Sequence, residues 1–136
     1  MRKSYEISGS DFSRAGEASS NFKLILKQLG LPADVVRKVA ISMYEAEINT
    51  VIHGGGGKCE AEITDKSIVI SFVDNGPGIS NIELAMTEGY STANDSVREL
   101  GFGAGMGLPN MKKYADDLQI ITKPGEGTKV ILTINL

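Results

Sequence analysis

Cysteine is nearly absent from this chain, histidine occurs once, and no stretch of apolar residues is long. Each scarcity narrows what the protein can be. The single cysteine, Cys59, rules out a disulfide within the chain and fits a reducing compartment, so a cytoplasmic location is expected. It has no second cysteine for a zinc site and reads as a structural residue. No apolar run approaches the ~20 residues that span a bilayer. Met1-Arg2-Lys3-Ser4-Tyr5-Glu6 lacks the apolar core of a secretory signal, and no membrane association is expected. Basic residues do not dominate: 14 Lys and Arg against 17 Asp and Glu leave a net charge of −3. Direct nucleic-acid binding therefore gains no support from overall electrostatics.

What is present suits a globular domain. The length, 136 residues, allows one domain with its own core, and no repeat or linker divides residues 1–136. The 41% hydrophobic and 23% charged residues are ordinary for a soluble fold. The 16 glycines are the compositional oddity, and they cluster, which marks loops with a task.

Residues 1–10 read as a short edge strand around Tyr5 and Ile7, ending at Gly9. Ser10-Asp11 can cap a helix running to Leu29, with Phe12, Ala15, Ala18, Phe22, Ile25, Leu26 and Leu29 on one stripe. Gly30 ends it, and Pro32 opens a second helix over 33–53. Val36, Val39, Ala40, Met43, Ala46, Thr50 and Val51 give that helix a core face. Gly54-Gly55-Gly56-Gly57 stops it abruptly.

Lys58–Thr64 and Ser67–Val73 alternate apolar and polar residues and form a hairpin across Asp65-Lys66. A short helix over 80–88 and a long glycine-, serine- and threonine-rich connection over 89–107 follow; connections of that length are usually functional or disordered. A helix over Leu108–Asp117 precedes a second hairpin, Leu118–Lys123 and Thr128–Leu136. The pattern predicts an α+β fold, a two-layer sandwich whose largely antiparallel mixed sheet is covered by helices on one face.

Three clusters can carry chemistry. At the end of the third predicted strand lies Asp74-Asn75-Gly76-Pro77-Gly78-Ile79. A carboxylate closing a buried strand needs a partner, and the bare glycine backbone beside it could accept a flat ring whose amino group donates to Asp74. A tight hairpin turn would use the same residues. On the second helix Ser42, Glu45, Asn49 and His53 share one face. A carboxylate beside an amide oxygen suits magnesium, and a glutamate can take a proton from a hydroxyl or water; a solvated helix face is the competing reading. His53 is favoured as a cation at the helix C-terminus. Third, Gly101-Phe102-Gly103-Ala104-Gly105-Met106-Gly107 leads directly into a helix. Its backbone N–H groups and the helix N-terminus together suit phosphate. It matches neither a P-loop nor the dinucleotide fingerprint, since no Gly-Lys-Ser/Thr follows and the spacing differs. Lys112 and Lys113 lie a turn further on and read as a solvated pair.

In order and spacing, Glu45-x-x-x-Asn49, Asp74-x-Gly76-x-Gly78, Gly103-x-Gly105-x-Gly107 and Gly127-Thr128 resemble the motifs of the GHKL ATPase superfamily, which includes gyrase, Hsp90, histidine kinases and MutL and shares the Bergerat ATP-binding fold. Within it the chain is similar to the bacterial anti-sigma-factor serine/threonine kinases. Glu45-Ala46 through Asn49 to Ile52-His53-Gly54 looks like the sequestering kinases; Glu88-Gly89-Tyr90-Ser91-Thr92 and Gly103 through Pro109 look more like the switch kinases upstream of them. No phosphoacceptor-histidine helix pair is present, so a complete histidine kinase is not expected.

The resemblance implies roles. Asp74 would accept from the adenine amino group, with Thr128 supporting the ring through water. Gly76 and Gly78 would shape the adenine side, and Gly103, Gly105 and Gly107 would wrap the triphosphate. Ile79, Met106 and Leu108 would complete the nucleotide-binding set. Asn49 would hold Mg2+, residues 87–104 would act as a lid, and Glu45 would be the catalytic base. ATP and Mg2+ would be bound. The protein partner would be a STAS-type anti-sigma antagonist, a sigma factor, or both, and because the sequestering relatives dimerise, a homodimer is implied. An ATP-gated binding module without phosphoryl transfer, a water-directed ATPase and a glycine-rich structural domain are the competing functions. The four glycines at 54–57 depart from the family pattern and are expected to loosen the helix end beside the magnesium site.

Overall fold

The computed structural model describes residues 1–9, 12–76, 107–122 and 125–136. Five strands form one sheet: β1 (Arg2–Ser8), β2 (Gly56–Ile63), β3 (Ser67–Asp74), β4 (Asp117–Thr122) and β5 (Thr128–Asn135). Their order is β1-β2-β3-β5-β4, and all four pairings are antiparallel. The helices are α1 (Glu17–Gln28), α2 (Ala33–Ile52) and α3 (Gly107–Tyr114), with a 3-10 turn at Phe12–Arg14. Among the described residues no helix is long and apolar enough to cross a membrane.

Alternation sets the sheet's two faces. On β3 the side chains of Ile68, Ile70, Phe72 and Asp74 are buried, and on β5 those of Thr128, Val130, Leu132 and Ile134. Register places each beside its counterpart: Ile70 opposite Leu132, Phe72 opposite Val130, Asp74 opposite Thr128. The other face stays open, so Val69, Val73 and Ile121 remain exposed. Helices cover the inner face, α2 packing on β1, β2, β3 and β5, with α1 and α3 flanking it. Phe22 and Leu26 of α1, Val39, Met43 and Ala46 of α2 and Met111 of α3 are fully buried in this layer. Each large apolar side chain so buried contributes about 1.5–3 kcal/mol. The expected two-layer α+β sandwich is the fold observed.

The expected first helix is broken. The chain makes the 3-10 turn, passes through Gly16 at φ +92 and begins α1 only at Glu17. The cause is distant: the buried carboxylate of Glu47, on α2, accepts the backbone N–H groups of Gly16 (3.0 Å), Ala18 (3.1 Å) and Ser19 (2.9 Å). It thereby caps α1 from another helix, a role the sequence reading gave to Ser10 and Asp11, which lie outside the described residues. Leu29, expected on the apolar stripe, is exposed, because the helix has ended and Gly30 at φ +74 turns the chain away. The N–H of Gly30 bonds to the Lys27 carbonyl and that of Leu31 to the Leu26 carbonyl, closing the helix with a Schellman turn.

Of the expected α2 core face, Ala40 is only half-buried and the rest is buried. The third helix ends at Tyr114, short of the expected Asp117. Asp116 donates its N–H to Thr133 and accepts the N–H of Asn135 at 2.7 Å, drawing the chain into the sheet. The expected helix over 80–88 lies outside the described residues.

Candidate functional site

The site forms where the C-terminal half of α2 crosses the ends of β3 and β5. Asp74 ends β3, opposite Thr128 at the start of β5 and Gly57 in β2. It is only 7% exposed, so its carboxylate needs donors. Its Oδ1 accepts the N–H of Gly76 at 2.9 Å and that of Thr128 at 3.2 Å. Its Oδ2 has no hydrogen-bond partner among the described residues. One oxygen is thus held by backbone, and among the described residues the other keeps its acceptor capacity. Thr128 is buried, and its hydroxyl lies 3.0 Å from that of Thr122, which also donates to the Gly127 carbonyl. Gly127, at φ +88, lies so close to the Asp74 carbonyl oxygen that no Cβ fits there. A Cβ on Gly76 would lie 2.8 Å from Gly54 Cα and 2.9 Å from the His53 carbonyl oxygen. The end of α2 and the turn after β3 therefore meet backbone to backbone.

Along α2 the predicted polar stripe separates into different roles. Ser42 is fully buried and donates to the Lys38 carbonyl at 2.7 Å, a bond within the helix with no outward chemistry. Glu45 and Asn49 are half-buried, one turn apart. The Asn110 side-chain amide, from α3, donates to Glu45 Oε1 at 3.4 Å. Burial raises the Glu45 pKa, and the Asn110 bond pulls it partly back. The backbone carbonyl of Asn49 accepts from His53 (2.9 Å) and Gly54 (3.3 Å), closing the helix end. About 12 Å of helix separates Glu45 from His53 at 1.5 Å per residue.

Burial works against the expected role of His53 as a cation. Burial lowers its pKa, against the opposing pull of the Asp74 carboxylate. Nor are the four glycines a loose end: Gly56 and Gly57 are the first residues of β2, paired with Ser8 and with Asp74. Leu108 turns its side chain into the core, so any contact it makes with a nucleotide is through its backbone. Gly107 begins α3. Lys112 and Lys113 are exposed, with Lys113 Nζ 5.4 Å from the centre of the Tyr114 ring, which accords with a solvated pair. Gly78, Ile79, Gly103, Gly105, Met106 and the whole of the expected lid lie outside the described residues.

For a divalent cation, the described residues contain no cluster of three or more His, Cys, Asp or Glu side chains. Asn49, half-buried one turn from Glu45, could supply one amide oxygen to magnesium. Two residues that the structure makes important escaped the sequence reading. Glu47 had a signal, being an acid four residues from Met43 and from Val51 on the buried stripe. Asn110 had only a weak one, a polar residue between buried Leu108 and Met111.

Comparison with known proteins bears on the family and the fold. Residues 34–136 match the family model described as histidine kinase-, DNA gyrase B-, and HSP90-like ATPase. An anti-sigma F factor of Clostridium beijerinckii is 35% identical over 111 residues, covering 77% of this chain and 74% of the relative. Among solved structures, the RsbU and RsbW domains of a Mycobacterium tuberculosis protein superpose with a TM-score of 0.67 at 16% identity. That match covers 98% of this chain but 32% of the solved one. The mycobacterial sensor histidine kinase MprB gives 0.54 at 13% identity, covering 99% and 97%. At such identities the two structures speak for the fold alone.

Proposed function

The chain belongs to the histidine kinase-, DNA gyrase B- and HSP90-like ATPase family, and from that premise we propose that it is a single-domain protein serine/threonine kinase of the anti-sigma-factor type. The observation that carries the reading is Asp74, with one oxygen held by two backbone N–H groups and the other open, beside a helix that carries Glu45 and Asn49. The similarity to anti-sigma F factors supports the choice of a regulatory protein as substrate.

On this reading Asp74 Oδ2 accepts from the adenine amino group of ATP, and the glycines after residue 100 line the phosphates. Asn49 would hold magnesium, which would supply neutralisation of phosphate charge. A partner presents a serine or threonine hydroxyl to Glu45, which takes its proton as the hydroxyl oxygen bonds to the γ-phosphorus and the bond to the β-phosphate oxygen breaks, releasing ADP. Positioning and charge neutralisation supply most of the rate. The half-buried setting keeps Glu45 a stronger base than a free carboxylate, and the Asn110 amide orients it. The substrate is a STAS-type anti-sigma antagonist in the cytoplasm, a sigma factor being the partner it would sequester, and added phosphate charge would break a packed interface.

The test is phosphoryl transfer from γ-labelled ATP with magnesium in a lysate of the source organism, comparing wild type with Glu45→Gln. General-base catalysis predicts a loss of about 100-fold or more with ATP binding retained. Equal labelling by the variant would remove Glu45 from its role. ATP bound without any labelled protein would point to a sequestering module, and free phosphate released without a partner to a water-directed ATPase.

A further inference from the structure

Four glycines in a row, 54–57, do four different things. Gly55 is at φ +69, and a Cβ there would meet nothing within 4 Å, so its backbone alone requires glycine. Gly56, at φ +95, also lies against β1, where a Cβ would be 2.6 Å from the Ile7 carbonyl oxygen. Gly57 pairs with Asp74 and lies against the Val73 carbonyl oxygen. Gly54 has no positive φ. What excludes a side chain there is Asp74: a Cβ would lie 2.5 Å from its Cγ, 2.6 Å from its Cβ and 2.6 Å from Oδ2.

Asp74 cannot easily give way. Its Oδ1 is tied to two N–H groups, its backbone is paired on both sides with Gly57 and Thr128, and it is nearly buried. A methyl at 54 would therefore turn the carboxylate and break those bonds, or push away the end of α2 one turn from Asn49. We infer that Gly54 is a positioning residue for nucleotide recognition, its missing side chain being the space that lets Asp74 aim Oδ2 at the purine amino group. The inference rests on the reading of Asp74 as the purine acceptor. It also explains why a glycine stands just beyond the α2 C-terminus: the helix and the residue after its cap then supply Glu45, Asn49 and the clearance for Asp74 in sequence.

The test is calorimetric titration with ADP and magnesium, alongside thermal unfolding, on wild type, Gly54→Ala and Gly55→Ala. Gly54→Ala is expected to bind ADP about tenfold or more weakly, as when one hydrogen bond to a charged acceptor is lost. Gly55→Ala is expected to melt lower from backbone strain yet bind within about threefold of wild type. Gly54→Ala binding ADP like wild type would overturn the inference. Wild type failing to bind ADP would remove its premise, and with it the nucleotide reading. If Gly54→Ala does not fold, Gly54→Ala/Asp74→Gly decides. Recovery of a cooperative melt without ADP binding supports the contact, and a double variant no more stable than Gly54→Ala overturns it.

Discussion

Replacing Glu47 by alanine should destabilise the protein more than any surface change, although this residue touches no part of the proposed chemistry. Its carboxylate is 2% exposed and accepts three backbone N–H groups at 2.9–3.1 Å, all from the first turn of α1 and the glycine before it. Hydrogen bonds to a charged group contribute about 1.5–3 kcal/mol each, and a carboxylate at a helix N-terminus up to about 2 more in a buried setting. These terms overlap and do not add. Removing one side of such a buried cluster typically destabilises by about 3–5 kcal/mol, and that is the value expected for Glu47→Ala. Glu47→Gln retains an acceptor oxygen but loses the charge and turns an NH2 toward donors, so about 1–3 kcal/mol is expected. Against a total stability of about 5–15 kcal/mol, the alanine variant should melt roughly 10–20 °C lower. Urea unfolding followed by circular dichroism gives the free energies directly. Glu17→Ala is the control. Its carboxylate starts the same helix, but its pair with Arg14 is exposed on both sides, so a change within about 0.5 kcal/mol is expected. If Glu47→Ala unfolds within about 1 kcal/mol of wild type, or no worse than Glu17→Ala, the capping argument is wrong.

Asp74→Asn should keep its amide oxygen on the Gly76 and Thr128 N–H groups and so turn an NH2 toward the purine amino group; ADP titration should show at least a tenfold loss of affinity, and undiminished binding would refute the recognition role. A base at Glu45, as proposed, would work only when ionised, and burial raises its pKa, so transfer should fall as pH drops through a value above that of an ordinary carboxylate. Asn110→Leu removes the opposing hydrogen bond and should move that limb to higher pH, whereas a uniform loss at every pH would reduce Asn110 to a packing residue. Cys59 is fully buried, and its thiol is pushed well above the ordinary range, first by burial and then by nearby Glu47 and Glu60; a colourimetric thiol reagent should react with it in urea but not in the folded protein.

Much of this molecule follows local rules. Strand alternation in Ser67–Asp74 and Thr128–Asn135, the turn glycines between elements and the one-turn spacing of Glu45 and Asn49 are properties of short stretches. Each is enforced by sterics and burial within a few residues, so each was legible without coordinates, as were the two layers that paired hairpins and amphipathic helices must make. The motif order pointed to the ATPase family for the same reason, because it is written along the chain. The remaining features depend on residues far apart in sequence. The start of α1 is decided by Glu47, 28 to 31 residues away; a capping rule that looks only at neighbours assigned it elsewhere. Gly54 must be glycine because of Asp74, and the orientation of Glu45 depends on Asn110, 65 residues on. The lowered pKa of His53 follows from burial that appears only once α2 has packed on the sheet. A linear sequence states the preferences of its segments. Which groups come to share a desolvated space, where a hydrogen bond or a missing methyl group counts most, was decided by tertiary packing alone.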